Sequence, residues 1–156
     1  MLDTAHLFDE FLRLFAAVAI GVALGLDRNL NGKPTGMRTL GLVSFATALV
    51  TLAGLEYQGI RDSIDAESRV NHAVIQGALV GIGFLGGGII LRDVASRNVL
   101  NLTTAASVWT TAVMGIACAL APWPLIGVGV FVLFTLVVGC RWLEEHFGLK
   151  DKENET

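Results

Sequence analysis

Long apolar runs alternate with short polar links along this chain, and the runs have the length of membrane crossings. A crossing helix needs about 20 mostly apolar residues. Five segments approach that length: about 7–26, 37–55, 73–91, 102–121 and 123–140. The first is the weakest, because Asp9, Glu10 and Arg13 occupy its opening turns and leave Leu14 to Leu26 as its uncharged core. Asp9 and Arg13 stand four apart and can pair on one helix face. The pattern predicts an all-α polytopic membrane protein, a bundle of five transmembrane helices in one domain over residues 1–142. A short charged tail over 143–156 follows, expected to be disordered towards its end.

The third run, AVIQGALVGIGFLGGGIIL from Ala73 to Leu91, has no charge and six glycines. Each glycine costs a helix roughly 1 kcal/mol relative to alanine. Membrane helices accept this cost, because small residues let backbones approach closely where water supplies no drive for association. Gly77 and Gly81 form one G-x-x-x-G pair, and Gly83 and Gly87 another. Ala17, Gly21 and Gly25 make a matching small stripe on the first helix. Helices one and three are therefore expected to pack tightly. Gly81, Gly83 and Gly86 also spell G-x-G-x-x-G. That dinucleotide fingerprint needs a preceding strand, and this one lies inside an apolar run.

Composition sharpens the class. The 156 residues are 53% hydrophobic and 16% charged, against about 25% charged for soluble domains. The mean hydropathy is +0.63. A net charge of −3 gives no reason to expect a nucleic-acid partner. The opening MLDTAHLFDEF is acidic. A cleavable signal peptide opens with a basic region, so the first run is expected to be retained.

The links suggest a direction. The first contains Arg28, Lys33 and Arg38, and the third contains Arg92 and Arg97. The second holds four acids, Glu56, Asp62, Asp65 and Glu67, and the fourth holds no charge. Basic residues collect on the cytoplasmic side. Links one and three are therefore expected inside, the N-terminus outside and the C-terminus inside. Trp123 and Trp142 flank the fifth run, as tryptophan does at the two interfaces. Cys118 and Cys140 fall near opposite faces on this map, too far apart to be bridged within one chain.

Ionisable groups near a membrane core deserve a functional reading. Asp27 and Arg28 close the first helix, Arg38 and Thr39 open the second, and Arg92 ends the third. Thr103, Thr104 and Ser107 open the fourth, with Trp109 well inside it. These residues form one candidate polar cluster, with Asp27 expected to pair with Arg38. The hydroxyls can bond between helices or back to their own carbonyls. The Trp109 indole N–H, deep in the run, calls for an acceptor, and Gln76 for an interhelical hydrogen bond. No Ser/His/Asp or Cys/His set is readable, and no metal-ligand spacing. No enzyme, no cofactor and no metal site is expected.

Three stretches carry a family resemblance: GLDRNLNGKPTGMRTLGLV, GIGFLGGGIILR and LNLTTAASVWTTAVMGIACAL. In this order and spacing they resemble the signatures of the MgtC/SapB family of bacterial inner-membrane proteins. Asp27-Arg28 matches its acidic-Arg pair, and Gly36, Arg38 and Thr39 match its G-x-R-T. Arg92 matches the basic residue after the glycine-rich helix, and Thr103, Thr104 and Trp109 match the hydroxyl-rich helix. Asn101-Leu102 stands where a glycine commonly precedes that run, and some members continue into a soluble C-terminal domain.

The resemblance implies two competing functions. One is a regulator that restrains the rotary ATP synthase in the membrane, linked to growth at low Mg²⁺ and survival inside macrophages. The other is a transporter or channel for Mg²⁺ or another small cation. The first is preferred here, because a cation transporter usually needs carboxylates near mid-membrane. Asp27, the one acid near the core, sits at the border. The expected partners are the lipid bilayer, a membrane complex such as the ATP synthase, and further copies of the chain.

Overall fold

The computed structural model describes residues 4–56, 64–92 and 99–147. Among them the elements run α1 (Thr4–Leu30), α2 (Met37–Glu56), α3 (Ile64–Ile89), β1 (Leu91–Arg92), β2 (Val99–Leu100), α4 (Leu102–Leu120) and α5 (Trp123–Phe147). The protein is an all-α membrane protein. Four helices are long and apolar enough to cross a bilayer: Met37–Leu55, Ser68–Ile89, Leu102–Leu120 and Trp123–Leu143. Five were expected. The charges in its opening turns keep α1 off that group, although at 27 residues it is the longest helix described.

Local chemistry sets the ends. Asn31-Gly32 stops α1: Gly32 takes φ +65°. The Lys33 amide donates to the Arg28 carbonyl at 3.0 Å, and the Gly32 amide to that of Asn29 at 3.2 Å. This is a Schellman closure, which favours glycine at its left-handed position. At the other end of the chain, Ala121 is extended (φ −80°, ψ 152°). Proline then restarts the helix: Leu125 and Ile126 donate to the Pro122 carbonyl, and Pro124 sits in the first turn, where its missing N–H is harmless.

Three helices overrun the apolar pattern. α1 runs four residues past Leu26, through Asp27 and Arg28, to Leu30. α3 starts at Ile64, nine residues before its apolar run, and leaves at Ile89 into a two-residue antiparallel pair, Leu91 with Leu100 and Arg92 with Val99. α5 continues through Trp142 to Phe147. Hydropathy reports the lipid-facing length, and a helix runs on into water wherever its backbone bonds continue. Residues 148–156 of the expected tail lie outside the described residues.

The chain divides into two compact units, Met1–Ala121 and Pro122–Thr156. In the first unit α1 packs along α2, α2 along α4, and α3 leans on α4 and α2. Its core is built from small and hydroxyl side chains. Ala17, Leu40, Ser44, Ala48, Thr104, Val108, Thr111, Ala112 and Cys118 are almost completely buried. The second unit is the single helix α5, an apolar rod with Trp123 at its start, whose Trp142 stacks on His146 at 5.1 Å.

The expected seam between α1 and α3 is not formed. The small stripe of α1 meets α2 instead. A methyl group at Gly21 would lie 2.6 Å from the Leu40 carbonyl oxygen, and one at Gly25 would lie 2.6 Å from the Met37 amide nitrogen. The link between α1 and α2 is short, and a short link makes neighbours of antiparallel helices. Sequence proximity settled the pairing, and stripe matching did not.

Candidate functional site

Arg28 is the centre of the site. It closes α1, yet its side chain turns inward and is only 7% exposed. Its Nε donates to the carbonyl oxygens of Pro34 and Thr35 and to Thr35 Oγ1, each at 3.3 Å. Nη2 donates to the Pro34 carbonyl at 3.0 Å. The far edge of the guanidinium reaches α4: Nη1 donates to Ser107 Oγ at 2.9 Å, and Nη2 to Thr104 Oγ1. The planar fork of an arginine can serve several acceptors from one fixed position. Here it joins the α1–α2 link to the start of α4.

Neighbouring residues hold that link in shape. The Asn31 side chain donates to the Asp27 carbonyl at 2.6 Å and to Asp27 Oδ1 at 3.3 Å. The Asn29 amide group occupies the space that a side chain at Gly36 would need. Asn29 is exposed, so its amide can swing aside from that position. The Gly36 carbonyl accepts from the Leu40 amide at 3.1 Å and opens α2.

Of the sequence candidates, the structure gathers Arg28, Thr104 and Ser107, with Asp27 one residue away on α1. Among the described side chains it does not gather the others. Arg38, Thr39 and Thr103 are exposed, and the expected Asp27–Arg38 ion pair is not formed among the described residues. Arg38 stands on the outer face of α2, while Asp27 accepts from Asn31. The Arg92 side chain lies outside the described residues. Trp109 is 48% exposed on the surface of the bundle, so its ring faces the membrane rather than an acceptor inside the unit. Gln76 is exposed as well, and the interhelical bond expected of it is not made among the described residues.

A hydroxyl seam rises from Arg28 between α2 and α4. Thr104 and Thr111 of α4 and Ser44, Thr47 and Thr51 of α2 are all buried, and α2 packs along α4. Most of these hydroxyls donate back along their own helices. Thr47 bonds the Val43 carbonyl at 2.9 Å, Thr51 that of Thr47 at 2.7 Å, and Thr111 that of Ser107 at 2.7 Å. Such bonds satisfy a hydroxyl locally and leave it small enough for close packing. Gly115 completes the fit, since a side chain there would collide with Thr47 Oγ1 and the Ser44 carbonyl. Among the described residues, Ser44 Oγ is the one buried side-chain polar atom without a hydrogen-bond partner.

Two contributors escaped the sequence reading. Arg13 pairs with Asp9 at 2.7 Å as expected, but its Nη1 also donates to the carbonyls of Cys118 and Ala121, each at 2.9 Å. It thereby covers the open carbonyls at the C-terminus of α4, a favourable place for a cation. The α2 hydroxyls were legible at helical spacing, at positions 44, 47 and 51 of the sequence.

The glycines of α3 behave differently from those of α1. Methyl groups at Gly77, Gly81, Gly83 or Gly87 would meet nothing within 4 Å. These glycines share the outward side of α3 with Val80 and Phe84, which is 83% exposed. The side of α3 packed inside the unit carries Ile82, which is buried, and Gly86, which faces Ala105.

Comparison with known proteins places the sequence among relatives. The chain is 34% identical over 138 residues to Protein SrpB of Synechococcus elongatus, covering 85% of this chain and 75% of that one. It is 33% identical over 114 residues to Protein MgtC of Salmonella typhimurium, covering 73% of this chain and 45% of that one. The chain thus matches less than half the length of the Salmonella relative. No solved structure matches it. The MgtC family pattern itself matches residues 14–146, from α1 to the last turns of α5. This membrane protein belongs to the MgtC family.

Proposed function

We propose that the chain is a non-enzymatic regulator of a larger membrane complex and acts by helix-to-helix contact through α3. One contrast carries this reading. The glycines of α1 and α4 are filled by neighbours, whereas Gly77, Gly81, Gly83 and Gly87 have none within 4 Å among the described residues. In lipid, small-residue stripes are where helix backbones meet. By resemblance the complex is the rotary ATP synthase, and the setting is a bacterial inner membrane with the N-terminus periplasmic and the basic links cytoplasmic. A further copy of the chain is a second way to cover the same face.

The test is co-purification from mild detergent of the unaltered chain and of Gly83→Leu and Gly87→Leu. The substituted side chains point into open space, so the fold is expected to hold. Membrane subunits of the ATP synthase should accompany the unaltered chain and be lost with either leucine. Their absence from the unaltered preparation removes this reading.

The runner-up is a transporter or channel for Mg²⁺ or another small cation, with Asp27 and the hydroxyl face of α4 as its path. The buried hydroxyls favour it as polar groups in a membrane interior. The close fit of Gly115 on Thr47 and Ser44 weighs against an open path there. Flux into proteoliposomes that is abolished by Asp27→Asn would favour transport over regulation.

A further inference from the structure

The α1–α2 link holds a β-branched residue in a conformation it resists. Thr35 has φ +65°, the left-handed region that β-branched residues rarely enter. Strain of this kind persists only where surrounding contacts over-determine it. The contacts here come largely from one group. Arg28 bonds the carbonyl oxygens of Pro34 and Thr35 and the Thr35 hydroxyl. The same guanidinium bonds Ser107 and Thr104 on α4. A planar, rigid group cannot follow one set of acceptors away without leaving the other.

We propose that Arg28 makes the link over 31–36 and the first two turns of α4 a single latch. Both halves close together and open together, and the strain at Thr35 biases the latch towards release. A contact that straightens the link therefore frees the Thr104 and Ser107 hydroxyls. A contact on the start of α4 frees the link in turn, because coupling of this kind is reciprocal. The latch stands whether the chain regulates or transports.

Hydrogen–deuterium exchange on the full chain in detergent reads it. The amides of Asn31, Gly32 and Lys33 are bonded to the carbonyls of Asp27, Asn29 and Arg28 at 3.2, 3.2 and 3.0 Å, so they report link opening. Thr104→Val with Ser107→Ala removes acceptors on α4 and touches nothing in the link. Exchange at the three link amides is expected to rise about tenfold. Thr111→Val deletes a buried hydroxyl of the same helix that is bonded to the Ser107 carbonyl. It should leave link exchange within about twofold of the unaltered chain. Arg28→Lys keeps the charge without the fork and should fall between. Thr35→Asn, a residue that enters the left-handed region more readily, should slow the same amides. The latch is overturned if the α4 double variant exchanges its link no faster than Thr111→Val. It is equally overturned if the amides of α2 quicken by the same factor, which reports general unfolding.

Discussion

Arg13 and Arg28 stand fifteen positions apart on α1 and bond opposite ends of α4. Arg13 reaches the carbonyls of Cys118 and Ala121, and Arg28 reaches the hydroxyls of Thr104 and Ser107. Fifteen residues of helix rise about 22 Å, most of the hydrocarbon thickness of about 30 Å. The two cations therefore set the register of two antiparallel helices. Between them Ala17, Ile20, Gly21, Leu24 and Gly25 are buried.

The far clamp can be removed by itself. Arg13→Leu leaves the terminal carbonyls of α4 without their donor and is expected to lower stability by about 1–3 kcal/mol. Arg13→Lys should recover less than half of the loss, because an ammonium lacks the fork. Thermal unfolding in detergent measures both.

Glycine replacements should separate α1 from α3. Gly21→Leu drives a side chain into the Leu40 carbonyl and Ser44, and overpacking of this kind costs about 1–3 kcal/mol or more. Gly83→Leu meets open space and should change stability by less than about 1 kcal/mol. Unfolding midpoints of the two purified variants check the contrast.

Gly36 and Asn29 should be coupled. Gly36→Ala alone is expected to destabilise by about 0.5–1 kcal/mol, because the new methyl displaces the exposed Asn29 amide. Adding Asn29→Ala should restore part of that loss. A double-mutant cycle with an interaction energy under about 0.5 kcal/mol would refute the contact.

Ser44→Ala should be neutral or stabilising by up to about 1 kcal/mol. Its Oγ is buried without a partner, and removing an unsatisfied polar group relieves a desolvation penalty. A loss of more than about 1 kcal/mol on thermal unfolding would show that the hydroxyl is used.

The helices were legible because apolar length is a strong local signal. The break between Ala121 and Pro122 was written in proline, whereas the charges at Asp27 and Arg28 did not mark an end, since α1 runs on to Leu30. The α1–α2 pairing was not read correctly. Small residues announce close approach without naming the partner, and Gly21 and Gly77 look alike until a short link puts α2 beside α1. Arg28, Thr104 and Ser107 were singled out as polar groups in apolar surroundings, and the structure brings these three together. Arg38 and Trp109 were singled out for the same reason, yet they face outward. Residue type alone does not state which way a helix is turned. Arg13 was missed because its neighbour Asp9 already explained it. A guanidinium has donors left over after one carboxylate, and those donors brace α4.

The bare side of α3 has a mechanical consequence. Where glycine replaces side chains on the outward surface, bending the rod disturbs no interlocked knobs and holes there. On that side only its own backbone bonds resist, while Ile82 and Gly86 hold the opposite side to the unit. The frame of α1, α2 and α4 is interlocked at Gly21, Gly25 and Gly115 and stiffens against the same deformation. Lateral pressure from the surrounding bilayer would therefore be absorbed first by one compliant member, leaving the braced trio in register.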